Sequence, residues 1–237
     1  MKPLVIVPTY NEIENIDRVV AELTGLGVEL LIVDDASPDG TGIRADEHAA
    51  AHETVHVLHR RGKEGLGPAY IAGFRWGLEH DYTHLIEMDA DGSHRIEDLP
   101  KLIARAGEDD APGLVIGSRW VKDGEVENWP IHREILSRGA NIYVRAALGL
   151  HVGDATAGFR VYRREVLEAI DLSGLDARGY FFQIEMTWRA AEAGAAIVEV
   201  PITFVERREG VSKMGGSIIS EAFLGTAKLA WNSRFKR

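Results

Sequence analysis

The chain has 237 residues, 45% of them hydrophobic, no cysteine, and a formal net charge of −10 from 27 Lys and Arg against 37 Asp and Glu. This is enough apolar sequence for one fair-sized folded domain, and it excludes disorder, fibrous structure, a disulfide framework and a thiolate metal site. The acidic balance argues against nucleic-acid binding, although a local basic patch can still grip phosphate.

The N-terminus, MKPLVIVPTYNE, carries an apolar run of about five residues, shorter than the hydrophobic region of a signal peptide. No window reaches the ~18 to 20 apolar residues of a membrane-spanning helix. The expected location is therefore cytoplasmic, at most peripheral on the cytoplasmic face of a membrane. Short β-branched runs stand at 3–7 (PLVIV), 28–34 (VELLIVD), 54–59 (TVHVLH), 83–89 (THLIEMD) and 113–118 (GLVIGS), with helical patterns between them at about 12–24, 41–51, 67–79 and 97–107. Such alternation predicts an α/β fold with a mainly parallel sheet flanked by helices. Beyond residue 118 the pattern loosens into RWVKDGEVENWP, a predicted helix over 132–148, a turn GDATAGFR, a second helix over 181–193 and the strand-like AIVEVPITFVE. The division expected is a catalytic domain over 1–215 and a C-terminal helix with a basic tail over 216–237. In that tail Ile218, Ile219, Ala222, Phe223, Leu229 and Trp231 recur at partly helical spacing before Arg234, Lys236 and Arg237. It suits either contact with a membrane surface or packing on the domain.

In open sheets of this kind ligands bind beyond the C-terminal ends of the strands. Three loops there are chemically loaded: PTYNE, DDASPDGT and DADGSH. In extended geometry residues two apart face the same side, so Asp89 and Asp91 can aim at one point. Two anions so placed call for a hard divalent cation, Mg²⁺ or Mn²⁺, which in turn would hold a diphosphate. A solvated acidic turn is the plainer reading of a bare D-x-D, and the position after a buried strand favours the ligand site. Glu87 reads as structural, and His94 beside the turn stays a candidate. In VDDASPDGT, Asp34 or Asp35 suits a ribose or base, while Asp39 and Thr41 read as helix caps. GKEGLGPAY, residues 62–70, is at most a weak anion loop, since it completes no G-x-G-x-x-G pattern. Basic residues recur at loop positions: Arg119, Arg133, and Arg207, Arg208 and Lys213 in ERREGVSKMGG, a glycine-rich segment read as a lid.

Taken in order, VPTYNEIENI, IVDDASPDGT, GLGPAYIAGF, MDADGSH, IGSRW, SRGAN, TAGFRVYRR, FQIEM and VPITFVERREGVSKM resemble the dolichol-phosphate (polyprenyl-phosphate) mannose synthases of glycosyltransferase family 2. The match runs from residue 4 to about 214. It implies a GT-A fold and inverting transfer of mannose from GDP-mannose to the phosphate of a polyprenol. By resemblance Pro8, Tyr10, Glu12 and Asp35, with Val33 beside them, belong to the nucleotide site, and Asp89, Ala90 and Asp91 to the metal and diphosphate motif. Arg119 and Arg133 match arginines that engage the acceptor phosphate. Arg207 and Lys213 match basic residues of a loop closing on the phosphates, and Gln183 and Glu185 match a segment lining the sugar and acceptor region. Where the family commonly has a metal-binding Gln, this chain has Ser93, which puts the third protein ligand in question. The implied cofactor is Mg²⁺ or Mn²⁺. The implied partners are GDP-mannose, a polyprenyl phosphate lipid, a membrane surface and a possible separate membrane subunit. Three other readings stand beside this one: glucosyl transfer from UDP-glucose, a haloacid-dehalogenase-type phosphatase using Asp89, and a non-catalytic nucleotide-binding module.

Overall fold

The structure is a computed structural model describing residues 1–175, 179–206 and 216–235. Strand and helix alternate through β1 (Pro3–Thr9), α1 (Ile13–Gly25), β2 (Glu29–Asp34), α2 (Thr41–Ala51), β3 (Val55–His59), α3 (Leu66–Glu79), β4 (His84–Glu87), α4 (Leu99–Ala106) and β5 (Leu114–Ser118). There follow β6 (Glu125–Glu127), α5 (Ile131–Leu148), β7 (Arg160–Arg163), α6 (Arg164–Ala169), α7 (Gly179–Glu192), β8 (Ile197–Pro201), β9 (Thr203–Val205) and α8 (Gly216–Phe235).

Seven strands form one sheet in the order β3-β2-β1-β4-β7-β5-β8, and β6 pairs with β9 beside it. All neighbours in the large sheet are parallel except β7, which runs antiparallel to both β4 and β5. Both faces are covered, which is why the central strands are apolar throughout rather than alternating. Leu4 and Ile6 of β1 enter the core on the α3 side, and Val5 and Val7 enter the core on the α1 side. Helix α1 supplies Ile16, Val19, Val20 and Leu23, a helical stripe, to the second of these. Helix α3 lies close on the other face because Gly73 and Gly77 have no side chains. A β-carbon there would stand 2.5 Å from Ile6 Cγ2 and 2.5 Å from Leu85 Cδ2 respectively.

The main departure from the sequence reading is β7, which begins at the last residue of the expected turn GDATAGFR and runs on through a stretch assigned no element. Its first residue, Arg160, is fully buried in the sheet. Burial of that charge is tolerated because its guanidinium donates to the carbonyls of Ala157, Ala155 and Gln183, to Thr187 Oγ1 and to Tyr162 Oη. A four-residue strand bounded by arginines has no apolar signature to read. The segment AIVEVPITFVE, expected as one strand, breaks at Ile202 into β8 and β9. Helix α8 packs against α7 and α5, burying Thr226 and Ala230 and leaving Phe223, Leu224 and Trp231 exposed.

Candidate active site

The C-terminal ends of β1, β2, β4 and β5 open onto one edge, and two cavities meet there. The first, about 370 Å³, is acidic; Pro8, Tyr10, Glu12 and Asp35 border one end of it, and Asp89, Ala90 and Asp91 its floor. Lys63, which the sequence did not single out, reaches this cavity and stands 4.0 Å over the Tyr10 ring. Val33 lies in the core and does not border the cavity. The two acidic residues at the tip of β2 divide their work. Asp34 accepts from Thr9 Oγ1, from Ser37 Oγ and from the Ser37 amide, fixing the loop. Asp35 faces the cavity, held by Arg60 Nη1 at 2.5 Å and the Glu64 amide at 3.3 Å. Asp39 accepts from the amides of Thr41 and Ile13, tying together the starts of α2 and α1.

Asp89 and Asp91 border the same cavity by way of a turn rather than strand pleating. Strand β4 ends at Glu87, and residues 90–92 turn with Gly92 at φ +75°. Asp89 Oδ1 accepts from the Tyr70 hydroxyl at 3.0 Å, and the Asp89 amide donates to His94 Nδ1 at 3.1 Å. His94 is therefore the residue that pins the turn; burial pushes its pKa down to about 4, so the neutral ring can accept at Nδ1. Tyr70 is fully buried, and burial together with Asp89 keeps its hydroxyl protonated, a permanent donor. Asp91 Oδ1 accepts from the Ser93 amide at 3.0 Å, a local turn bond. Ser93 itself is buried and does not border the cavity.

Among the described residues no three His, Cys, Asp or Glu side chains are grouped to cage a metal ion. A pair of carboxylates bordering a cavity nonetheless fits Mg²⁺ or Mn²⁺, which bind through one or two carboxylates and complete their shell with phosphate oxygens and water. Behind this pair lies Glu87, fully buried, its carboxyl pushed up to about 8 by burial against the opposing pull of Arg160 and the Gln183 amide. Gln183 borders the cavity, whereas Glu185 on the next face of α7 pairs with Arg189.

The second cavity, about 460 Å³, runs between α5 and α8 and is lined by Ile135, Leu136, Tyr143, Val144, Ala222 and Phe223. It shares Arg119, Trp129, Arg133 and Thr156 with the first, so the two guanidinium groups stand at the junction. Arg119 is clamped by Asp154, through Nε to Oδ2 and Nη2 to Oδ1, each at 2.7 Å, and Nη2 also reaches Thr156 Oγ1 at 2.9 Å. Burial opposes ionisation of Asp154, but the charge and hydrogen bonds of Arg119 outweigh it and hold the carboxyl below the usual range. Asn141 of α5 joins the same cluster through Asp154, Thr156 and the Ala155 amide. The rings of Trp120, Trp129 and Phe204 surround the Arg119 guanidinium at 5.4 to 5.5 Å. Arg133 lies 4.0 Å over Trp129 and pairs with Glu206. Arg207 and Lys213 lie outside the described residues. Tyr70, His94, Asp154 and Trp129 thus complete a site that local patterning only half showed.

Comparison with known proteins agrees with this architecture. The model of Glycosyl transferase family 2 matches residues 4–171. The chain is 54% identical over 241 residues to the polyprenol monophosphomannose synthase of Mycolicibacterium smegmatis, covering 100% of this chain and 89% of that one. It is 51% identical over 238 residues to the undecaprenyl-phosphate mannosyltransferase of Micrococcus luteus, covering 100% and 97%. In fold it matches the glucosyl-3-phosphoglycerate synthase of Mycobacterium tuberculosis, crystallised with Mn²⁺, UDP-glucose and phosphoglyceric acid, with a TM-score of 0.72 at 19% identity over 97% of this chain and 79% of that one. The fold is that of the GT-A glycosyltransferases, a mainly parallel sheet between helices. With a family model spanning most of its length and relatives more than half identical across the whole chain, this protein belongs to glycosyltransferase family 2.

Proposed function

We propose that the chain transfers mannose from GDP-mannose to the phosphate of a polyprenyl phosphate, with inversion at the anomeric carbon. The observation that carries this reading is the meeting of an acidic polar cavity and an apolar groove at Arg119 and Arg133. A nucleotide sugar suits the first, an isoprenoid chain the second, and an anionic headgroup the pair of guanidinium groups between them. The names of the two relatives point the same way.

A phosphate oxygen of the acceptor attacks the sugar carbon, the bond from that carbon to the diphosphate oxygen breaks, and GDP leaves with the bonding electrons. The acceptor is already an anion at neutral pH, so no strong general base is required of the site. Arg133 and Arg119 hold the headgroup in line, and Tyr70 and His94 keep Asp89 in place at the diphosphate end. A Mg²⁺ or Mn²⁺ ion held by Asp89 and Asp91 would neutralise charge growing on the diphosphate. By the resemblance, Arg207 and Lys213 would contribute positive charge to binding the phosphates. The test is incorporation of radiolabel from GDP-mannose, against UDP-glucose, into a short polyprenyl phosphate with and without Mn²⁺. Label from GDP-mannose is expected; label from UDP-glucose alone would overturn the donor, and none from either would overturn the reading.

Such an acceptor resides in a bilayer, and among the described residues no helix is long and apolar enough to cross one. The two helices that flank the groove expose Ile131, Ile135 and Ile142 on α5 and Phe223, Leu224 and Trp231 on α8, each more than half exposed. This face would rest on the membrane surface, α5 and α8 together, with the groove opening toward the lipid. Replacing both Ile142 and Leu224, which do not line the groove, by serine is expected to weaken liposome co-sedimentation by roughly tenfold, from the apolar area withdrawn. Unchanged binding would reject this face.

A further inference from the structure

The two guanidinium groups that border both cavities, Arg119 and Arg133, are each already matched by a carboxylate. The two carboxylates are held very differently. Asp154 is fully buried and grips Arg119 as a fork, through Nε and Nη2, while also accepting from the Arg119 amide, Thr156 Oγ1 and Asn141 Nδ2. Glu206 instead puts both of its oxygens on one nitrogen, Arg133 Nη1, at 2.6 and 2.5 Å. Arg133 Nε is buried and has no hydrogen-bond partner among the described residues. A ligand therefore reaches Arg133 through its Nη atoms, and Glu206 occupies one of them. The Glu206 side chain is 26% exposed and stands one residue past the end of β9, so its carboxylate can turn to water once another anion replaces it.

An anionic headgroup thus meets a pair of arginines whose charge is already balanced. Asp154 cannot give way, because releasing Arg119 would strand a carboxylate that has no access to water. Glu206 can. A phosphate monoester carries close to two negative charges at neutral pH and three strong acceptor oxygens, so it outcompetes a single carboxylate for a guanidinium group. A phosphodiester, the product of transfer to that phosphate, keeps one negative charge and is no better an anion than the carboxylate it displaced. We infer that Glu206 is an exchangeable placeholder at the acceptor seat, yielding Arg133 to the acceptor's phosphate and reclaiming it from the less charged product. The affinity for any ligand that needs Arg133 is then lowered by the fraction of the protein in which Glu206 holds it. Glu206 sets how tightly acceptor and product bind, without touching either.

The inference rests on the polyprenyl-phosphate reading above, and the experiment separates the two. Wild type, Glu206→Gln and Glu134→Gln are compared in initial rates with a short polyprenyl phosphate, in inhibition by the glycosylated product, and in thermal unfolding. Glutamine keeps the shape of the side chain and leaves the bond from the Glu206 amide to the Glu127 carbonyl intact, so the fold is expected to hold. Glu134 is the control, a carboxylate next to Arg133 on α5 that pairs with Arg138 instead. Glu206→Gln is expected to lower the KM for polyprenyl phosphate and the inhibition constant of the product alike, each by about fivefold, with the KM for the nucleotide sugar within twofold of wild type. Glu134→Gln is expected to leave all three within twofold. A raised KM for polyprenyl phosphate in Glu206→Gln would make the glutamate a strut that orients Arg133, and unchanged constants would show that it does not compete. An equal drop in both variants would assign the effect to general charge. Each of these overturns the exchange, while sugar transfer by the wild type leaves the proposed function standing. A wild type that transfers no sugar to polyprenyl phosphate sinks both.

Discussion

Asp91→Ala is expected to abolish transfer, lowering kcat/KM by roughly 10³-fold or more, because the charge leaving with the diphosphate then loses its direct counter-ion support. The fold should survive. Asp91 sits on a partly exposed turn bordering the cavity, and the turn is also secured by Gly92 and by the bond from the Asp89 amide to His94. Initial rates across a Mn²⁺ titration, with circular dichroism as the control for folding, decide the matter. Near-normal turnover at saturating Mn²⁺ would overturn the assignment of the acidic pair. Asp89→Asn is the sharper companion. Asparagine keeps an oxygen to accept from Tyr70 and leaves the amide bond to His94 untouched, so its loss of rate reports the charge alone.

Arg119→Ala is expected to act on stability first, costing about 3–5 kcal/mol. It leaves the Asp154 carboxylate fully buried with its main counter-charge removed and with Thr156 and Asn141 as its remaining side-chain partners. The deficit should depend on pH with a definite sign. In the wild type the folded-state pKa of Asp154 is depressed, so its contribution is present above the unfolded value and is lost only as the pH falls through the depressed one. Without Arg119 burial dominates and the folded pKa rises, so the variant loses stability as the pH climbs from about 4 toward 7. Urea unfolding at pH 4.5 and pH 7 checks this, and a deficit under 1 kcal/mol at pH 7 would show that the pair does not hold the cluster together.

Arg133→Ala separates binding from folding. Its partner Glu206 is about a quarter exposed and the Arg133 side chain only 11% exposed, so the lost pair costs about 1–2 kcal/mol. The KM for polyprenyl phosphate, in contrast, should rise by roughly 10- to 100-fold, since a charge-assisted bond to phosphate is worth a few kcal/mol. An unchanged KM would remove Arg133 from the acceptor site. The contrast between the two arginines is a matter of partners: Arg119 is clamped by the fully buried Asp154, Arg133 pairs with the partly exposed Glu206, and both border the two cavities.

Local periodicity carries the strand and helix order up to residue 118 because each element there satisfies its own pattern. The apolar runs PLVIV, ELLIVD and LVIGS are buried on both faces, and the stripe Ile16, Val19, Val20, Leu23 recurs at helical spacing. The same locality makes the acidic loops legible, since each follows directly on a strand. Strand β7 is illegible for the opposite reason. Arg160 belongs to the core through acceptors on the 155–157 turn and on α7, and no local rule anticipates a buried arginine.

By itself the sequence determined the α/β class, the loops that border the acidic cavity and the family resemblance, because these are written in short contiguous stretches. The tertiary structure alone decided how those stretches act together. It replaced pleat alternation by a turn as the reason Asp89 and Asp91 border one cavity, gave Tyr70 and His94 the task of fixing Asp89, and set Asp154 against Arg119 across 35 residues of chain. It also joined an acidic cavity to an apolar groove at two arginines. Those are relations between distant segments, and only close packing of the whole chain brings such segments within bonding distance.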